Sequence, residues 1–460
     1  MDWSALSRRI AGEVVTAASP DYDTARLPAI PRYDRIRPQA VVRVTSEADV
    51  AATLAFAQEI GSPIAIRGGG HDFAGHSSTE GILIDTRPLR ELSVVDGRLI
   101  AGAGARLAEV YDALAAHGRT IPAGCGPTVG LAGLALGGGM GILGRRHGLT
   151  LDHLRAARIV LADGTVRDCD AQHEPELFWA LRGAGGGNFG VVTRLVLDSV
   201  PAPEATSFHL TWPRARAAKL IAAWQDWLAT APVEIAPSLF VTASADPDEP
   251  PLTELFGTLT GSAEPLDAFL RSVPPAATDT RVTQSYRETK HYLSEHGPGE
   301  DHPGGHLYSK SEFMARALPG DVVDALLAAI DEGRTAGRSR VLELMPWGGA
   351  YNDVAPEAAA FPHRDGLFLL KHTAVVGPHD DPEPERKWLA RMCELARPYG
   401  TGGVYIGFPD PDLADGPAAY YGPNLDRLRA VKAQYDPDGL FRFAQSVPLA
   451  RPDDQKGDDA

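Results

Sequence analysis

Arg67-Gly68-Gly69-Gly70-His71-Asp72-Phe73-Ala74-Gly75-His76-Ser77 is the stretch on which the reading of this chain turns. Ahead of it, Ser62-Pro63-Ile64-Ala65-Ile66 is short, apolar and opened by a turn signal, which predicts a buried strand. Three successive glycines then let the backbone turn without Cβ clashes and aim bare N–H groups at one point. Such a concavity suits a phosphate or pyrophosphate, and a histidine straight after it can touch whatever carries the phosphate. Taken alone, the loop reads better as a surface turn followed by a solvated histidine.

A second bare segment shifts that balance. Gly124-Cys125-Gly126-Pro127-Thr128-Val129-Gly130 runs into Leu131-Ala132-Gly133-Leu134-Ala135-Leu136-Gly137-Gly138-Gly139-Met140-Gly141, apolar and almost free of bulk. Backbone this bare predicts something flat and large lying against it. With Leu177-Phe178-Trp179-Ala180-Leu181-Arg182-Gly183, Gly185-Gly186-Gly187-Asn188-Phe189-Gly190-Val191-Val192 and Tyr435-Asp436-Pro437…Phe441-Arg442…Gln445-Ser446, the sequence resembles the berberine-bridge-enzyme-like FAD-linked oxidases, members of the vanillyl-alcohol-oxidase or PCMH-type flavin fold. The resemblance runs from about Tyr22 to Pro448, with its motifs in the family's order.

The resemblance implies an α+β protein. A PCMH-type FAD-binding domain of two α+β subdomains would occupy 1–202, with its core at about 36–202. A substrate domain, an antiparallel sheet covered by helices, would span 203–400, and 401–450 would return to the FAD domain. The polar, acidic tail 451–460 reads as disordered. Local patterns agree with the α+β class. Ser46-Glu47-Ala48-Asp49 reads as a capping box ahead of a helix, Asp96-Gly97 and Asp163-Gly164 as hairpin turns, and Leu107 to Ala116 as an amphipathic helix. Residues 1–36 read as short helical and loop pieces.

Bulk properties bound the function. Lys+Arg 44 against Asp+Glu 60 gives a net charge of −16, which opposes nucleic acid and anionic membranes as partners. Cys125, Cys169 and Cys393 are far apart and form neither a disulfide framework nor a zinc pattern. Glu13, Thr16 and Pro20 interrupt any apolar run after Arg8-Arg9, so no signal peptide or transmembrane segment is expected and the chain reads as cytoplasmic. Gly185 to Gly190 matches G-x-G-x-x-G. The predicted order there is helix then strand, the reverse of what the dinucleotide fingerprint requires.

On the resemblance, FAD would lie against Arg67, Gly68, Gly69, Gly70, His71, Asp72, His76 and Ser77 of the first loop. Cys125, Val129, Gly130, Gly133, Leu136, Gly137, Gly138 and Gly141 would contribute from the second, Asn188, Phe189, Gly190 and Val192 from the third, and Tyr405 and Gln445 from the C-terminal part. His71 stands where the family bonds an imidazole to the flavin 8α-methyl. Bicovalent members also carry a cysteine directly before Pro-Thr-Val-Gly, whereas Cys125 sits one residue early. A second link and a merely packed thiol both stay open.

The family's Asp-Tyr and Tyr-x-Asn-Tyr are Asp72-Phe73 and Tyr405-Ile406-Gly407-Phe408 here, so two phenols and an amide are missing. Tyr405 is then the surviving phenol for the role of base, which requires a nearby cation to lower its pKa from about 10. Lys371 is the cation expected if it points inward; His372 is the alternative and could itself be the base, and strand alternation allows only one of them to face inward. His291, His296, His302 and His306 read as a solvated lid rather than a metal site. The function so implied is oxidation of an alcohol or similar C–H group of a small molecule, a sugar, polyketide or alkaloid-like metabolite, with O2 reduced to H2O2. A dehydrogenase with another acceptor, and a flavin-loaded drug-binding or resistance protein, are the alternatives. Oligomeric state is not legible.

Overall fold

The computed structural model describes residues 1–298 and 305–449, so His302 and the acidic tail lie outside the described residues. Three sheets carry the fold. In the first, β1 (Glu13–Thr16) pairs antiparallel with β2 (Ala40–Arg43), which runs parallel to β4 (Ile82–Asp85), itself parallel to β3 (Ile64–Arg67). Strand β1 lies in the segment expected to be only helix and loop. Its Glu-Val-Val-Thr is too short to show alternation, and pairing with β2 decides it.

The second sheet is antiparallel. Its strands β5 (Leu92–Val95), β6 (Arg98–Gly102), β8 (Leu154–Val160), β9 (Val166–Asp170) and β10 (Val191–Asp198) lie in the order β5-β6-β10-β8-β9. A small ribbon joins β7 (Arg119–Thr120) to β11 (Val200–Pro201). Both Asp-Gly hairpins form as read, across residues 96–97 and 163–164. The helix Glu47–Glu59 is capped by Ser46 Oγ, which accepts from Asp49 N at 3.2 Å. The capping box itself does not close. The Asp49 carboxylate accepts instead from Ala11 N, Gly12 N and Thr45 N, tying the N-terminal segment to the helix.

The third sheet has seven antiparallel strands, β15-β12-β14-β13-β17-β18-β16 in order. They are β12 (Glu204–Pro213), β13 (Ile235–Ala243), β14 (Leu252–Leu259), β15 (Thr278–Ser285), β16 (His306–Met314), β17 (Ser339–Pro346) and β18 (Phe368–Val376). Because side chains alternate across a strand, each central strand gives one set of residues to each face. Leu239 and Val241, Leu342 and Leu344, and Phe368 and Leu370 pack in one apolar cluster with Leu220, Ile221 and Trp224 of the helix Ala217–Leu228 and with the helices Gly320–Asp331 and Glu383–Ala396. Trp212, Trp224 and Phe269 belong to that cluster, so they are core rather than substrate wall.

The C-terminal part packs elsewhere. Val404, Tyr420, Tyr421, Leu428, Val431 and Val447 share a cluster with Leu131, Ala135, Phe178 and Leu195 of the second sheet and its helices. Buried Lys432 pairs with Asp436 at 2.7 Å and reaches Asn188 O and Phe441 O, locking this segment in place. His291 and His296 sit on the helix Tyr286–His296, and His306 opens β16, so the expected histidine loop is largely regular structure. The capping box of Ser285 and Glu288 is the local signal that starts that helix.

Candidate active site

Between the glycine loops and the free face of the seven-stranded sheet lies a cavity of about 890 Å³. Its floor comes from local sequence. After β3 the chain turns through Gly70 at φ +77° and Gly75 at φ +81°, a region that glycine alone enters cheaply. Gly69 and Gly130 touch back to back: a Cβ on Gly69 would fall 2.2 Å from Gly130 N. Among the described residues the N–H groups of Gly69, Gly70 and His71 find no acceptor. The Asp72 carboxylate accepts from Ala74 N and His76 N, both at 2.9 Å, and so shapes the loop.

His71 lines the cavity and lies 2.8 Å, through Nε2, from Thr128 Oγ1. Burial, helped by the nearby Arg106 charge, pushes its pKa down to about 4, so the imidazole is neutral at pH 7. Asp72, His76, Cys125, Val129, Gly130, Gly133, Leu136, Gly137, Gly141, Gly190 and Val192 line the same space, with Gly68 to Gly70, Ser77, Tyr405 and Gln445. Other expected contacts do not. The Arg67 guanidinium turns away to donate to Arg26 O, Ser77 O and Ser78 Oγ, so it buttresses the loop from behind. Gly138 faces the Tyr405 ring. Asn188 donates to Ala184 O and accepts from Val447 N, and Phe189 is buried in the core, so both hold the scaffold rather than the cavity wall.

Cys125 reaches the cavity, and Lys290 Nζ lies 3.7 Å from its sulfur. That ammonium is buried, donates to Ala123 O at 2.6 Å, and lies against the Tyr111 and Tyr286 rings. Burial lowers the Lys290 pKa. Sequence reasoning missed Lys290 because its helix is distant in the chain from the loop it supports.

The roof is the sheet face opposite the helices. Phe240, Phe256 and Val341 form an apolar wall with Leu293. Beside it, Lys371, Glu343 and Thr373 make a polar patch, with Lys371 Nζ 3.3 Å from Glu343 Oε2. Of the expected pair only Lys371 faces inward. His372 lies on the other face, 2% exposed, with Nδ1 unpartnered and its pKa pushed down by burial to about 3. Nor does a cation lower the Tyr405 phenol. Its oxygen accepts from Gly139 N at 2.9 Å, and burial pushes its pKa up to about 12. Lys371 instead lies over the Phe408 ring at 4.7 Å, and Phe408 stacks on Phe73 beside the His71 loop. Glu343 went unread at the sequence level, although a lone carboxylate in Val341-Leu342-Glu343-Leu344-Met345 was the available signal.

The site fits a flavin dinucleotide. Unpartnered N–H groups, the buried and unpartnered Ser77 Oγ, and glycines such as Gly133 and Gly186, whose missing side chains would meet no protein atom, all belong to residues that line the cavity. Among the described residues no group of three or more His, Cys, Asp or Glu could hold a metal, and no helix is long and apolar enough to cross a membrane.

Comparison with known proteins agrees. An FAD binding domain model matches residues 38–170, and a berberine and berberine-like model matches 404–448. The FAD-linked oxidoreductase YgaK of Bacillus subtilis is 30% identical over 453 residues, covering 96% of this chain and 98% of that protein. (R)-6-hydroxynicotine oxidase of Paenarthrobacter nicotinovorans is 31% identical over 429 residues, covering 89% and 91%. The solved structure of BBE-like 1 from Physcomitrella patens superposes with a TM-score of 0.88 at 28% identity, covering 98% of this chain and 99% of that one.

Proposed function

The chain belongs to the berberine-bridge-enzyme-like FAD-linked oxidoreductases, and from that premise we propose an oxidase carrying FAD covalently on His71 and acting on an alcohol or similar C–H group of a small, largely apolar molecule. FAD, when bound, supplies acceptance of a hydride from carbon and its return to O2 as H2O2. The observation that carries the reading is the neutral His71 imidazole set in the cavity at the end of an N–H cradle. A free imidazole nitrogen is the form able to bond carbon, and Thr128 Oγ1 holds its orientation. Gly69, Gly70 and Ser77 would hold phosphate oxygens, and the helix Leu131–Gly137 would lie along the cofactor. We place the cofactor domain at 1–202 with 401–450, and the substrate roof at 203–400.

Phe240, Phe256 and Val341 favour a flat apolar body over a free sugar, since each would bury ring or methylene surface against it. In the test, purified protein is precipitated with acid. Yellow colour retained in the pellet, and lost in His71→Ala, is the expected result; release of all colour from the parent protein refutes the linkage. Peptide mapping of the same digest decides whether Cys125 carries a second bond. Stopped-flow mixing of reduced protein with air separates the oxidase from a dehydrogenase.

A further inference from the structure

The cavity is lined by many ionisable groups, but nearly all are committed to the scaffold. Asp72 is held by Ala74 N, His76 N and the His76 ring. Tyr405 accepts from Gly139 N. Tyr351 bonds both N and O of Gly141. Tyr420 donates to Gln445 Oε1 and accepts from Asp410 N. Glu343 is different. Its Oε2 accepts from Lys371 Nζ at 3.3 Å, while among the described residues Oε1 has no protein partner, and the side chain lines the cavity.

Register places this carboxylate at a boundary. Phe240 is its neighbour on β13, Lys371 its neighbour on β18, and Ser311 lies across from Lys371 on β16. Ser311 Oγ is buried without a partner. One strip of sheet thus runs from an apolar ring through a carboxylate and an ammonium to an unmatched hydroxyl. Through Lys371 the strip touches Phe408, and through Phe408 it touches Phe73, two residues from His71. The polar end is therefore the end nearest the expected site of flavin attachment.

We infer that Glu343 is the catalytic proton acceptor of the oxidation, with Lys371 as the residue that positions its carboxylate, and that the substrate is an alcohol whose apolar body lies on Phe240 and Phe256. This rests on the oxidase reading above. In the step, Glu343 Oε1 takes the hydroxyl proton. FAD, when bound, would accept the hydrogen and its electron pair from the C–H as hydride, and the O–H pair would close the carbonyl. One proton and one hydride leave the alcohol, and O2 is the final oxidant. Phe73 and Phe408, stacked on one another beside Lys371, are apolar rings and offer no proton acceptor.

The test uses the flavin-loaded protein, a panel of benzylic and allylic alcohols, and benzoate as a probe. Glu343→Gln keeps shape and hydrogen bonding but cannot take the proton. Anaerobic flavin bleaching by the best alcohol is expected to slow by about 10²-fold or more, with flavin content unchanged and partial rescue in Glu343→Asp. A loss below tenfold overturns the role. A second readout does not depend on turnover. Glu343→Gln leaves Lys371 unpaired toward the cavity, so benzoate is expected to bind at least tenfold tighter than to the parent protein, and Lys371→Met to abolish that gain. Equal benzoate affinity in parent and Glu343→Gln overturns the placement. If no alcohol bleaches the parent protein, the alcohol substrate and with it the proton-acceptor role fail, and the benzoate arm still decides whether the charged pair addresses the cavity.

Discussion

Gly69→Ala is the substitution whose outcome the geometry dictates most directly. Its Cβ would lie 2.2 Å from Gly130 N, 2.9 Å from Thr128 O and 3.0 Å from Gly130 Cα. All three are backbone atoms, so no rotamer relieves the contact. Carbon contacts are comfortable at about 3.5–4.0 Å, so the two glycine loops must part by roughly 1 Å. Overpacking of this kind costs about 1–3 kcal/mol, and the absence of a side chain able to yield argues for the upper part of that range. The parting also draws His71 away from Thr128 Oγ1, its partner across the same contact. Urea titration should give an unfolding free energy lower by about 2–3 kcal/mol, and the ratio of flavin to protein absorbance should fall. Gly186→Ala, whose added Cβ meets no atom within 4 Å, serves as the control and should leave the unfolding free energy within about 0.5 kcal/mol. A Gly69→Ala protein as stable and as yellow as its parent would refute the back-to-back packing.

Tyr405→Phe leaves Gly139 N buried without an acceptor, so stability should drop by about 1–3 kcal/mol while flavin bleaching slows less than tenfold; a hundredfold loss would restore the phenol as base. His372 titrates near 6.5 when unfolded and about 3 when folded, so the folded state gains from a neutral ring above pH 6.5 and loses that gain as pH falls toward 3. His372→Leu, which removes no hydrogen bond, should flatten the fall of unfolding free energy between pH 6 and 4 by about 1.4 kcal/mol per pH unit, and an unchanged slope refutes the assignment.

The glycine-loop half of the candidate site was legible because many of its signals are local. Gly70 and Gly75 are glycines because the loop's own turn puts them at positive φ, and His71 follows Gly70 directly. The hairpins at Asp96-Gly97 and Asp163-Gly164 were legible for the same reason. Assignments made from the resemblance alone fared unevenly. Arg67, Asn188 and Phe189 sit in the right motifs yet turn their side chains into the scaffold. Motif membership says that a segment passes the cofactor, while the direction of each side chain depends on what packs behind it.

The sheet half of the candidate site is a cross-strand arrangement, and the sequence carries only its alternation. Lys371 and His372 were correctly limited to one inward residue, but which one followed only when the apolar cluster under Phe368 and Leu370 fixed the outer face. The same register, applied to β17, puts Glu343 inward with Val341 and Met345 and sends Leu342 and Leu344 to the helices. A strand slipped by one residue would exchange these sets and bury the carboxylate among leucines, at a cost of several kcal/mol. The placement of Glu343 beside Lys371 is thus held by the same leucine packing that holds the sheet together. A charge introduced at Leu342 or Leu344 should accordingly disturb folding before it disturbs catalysis.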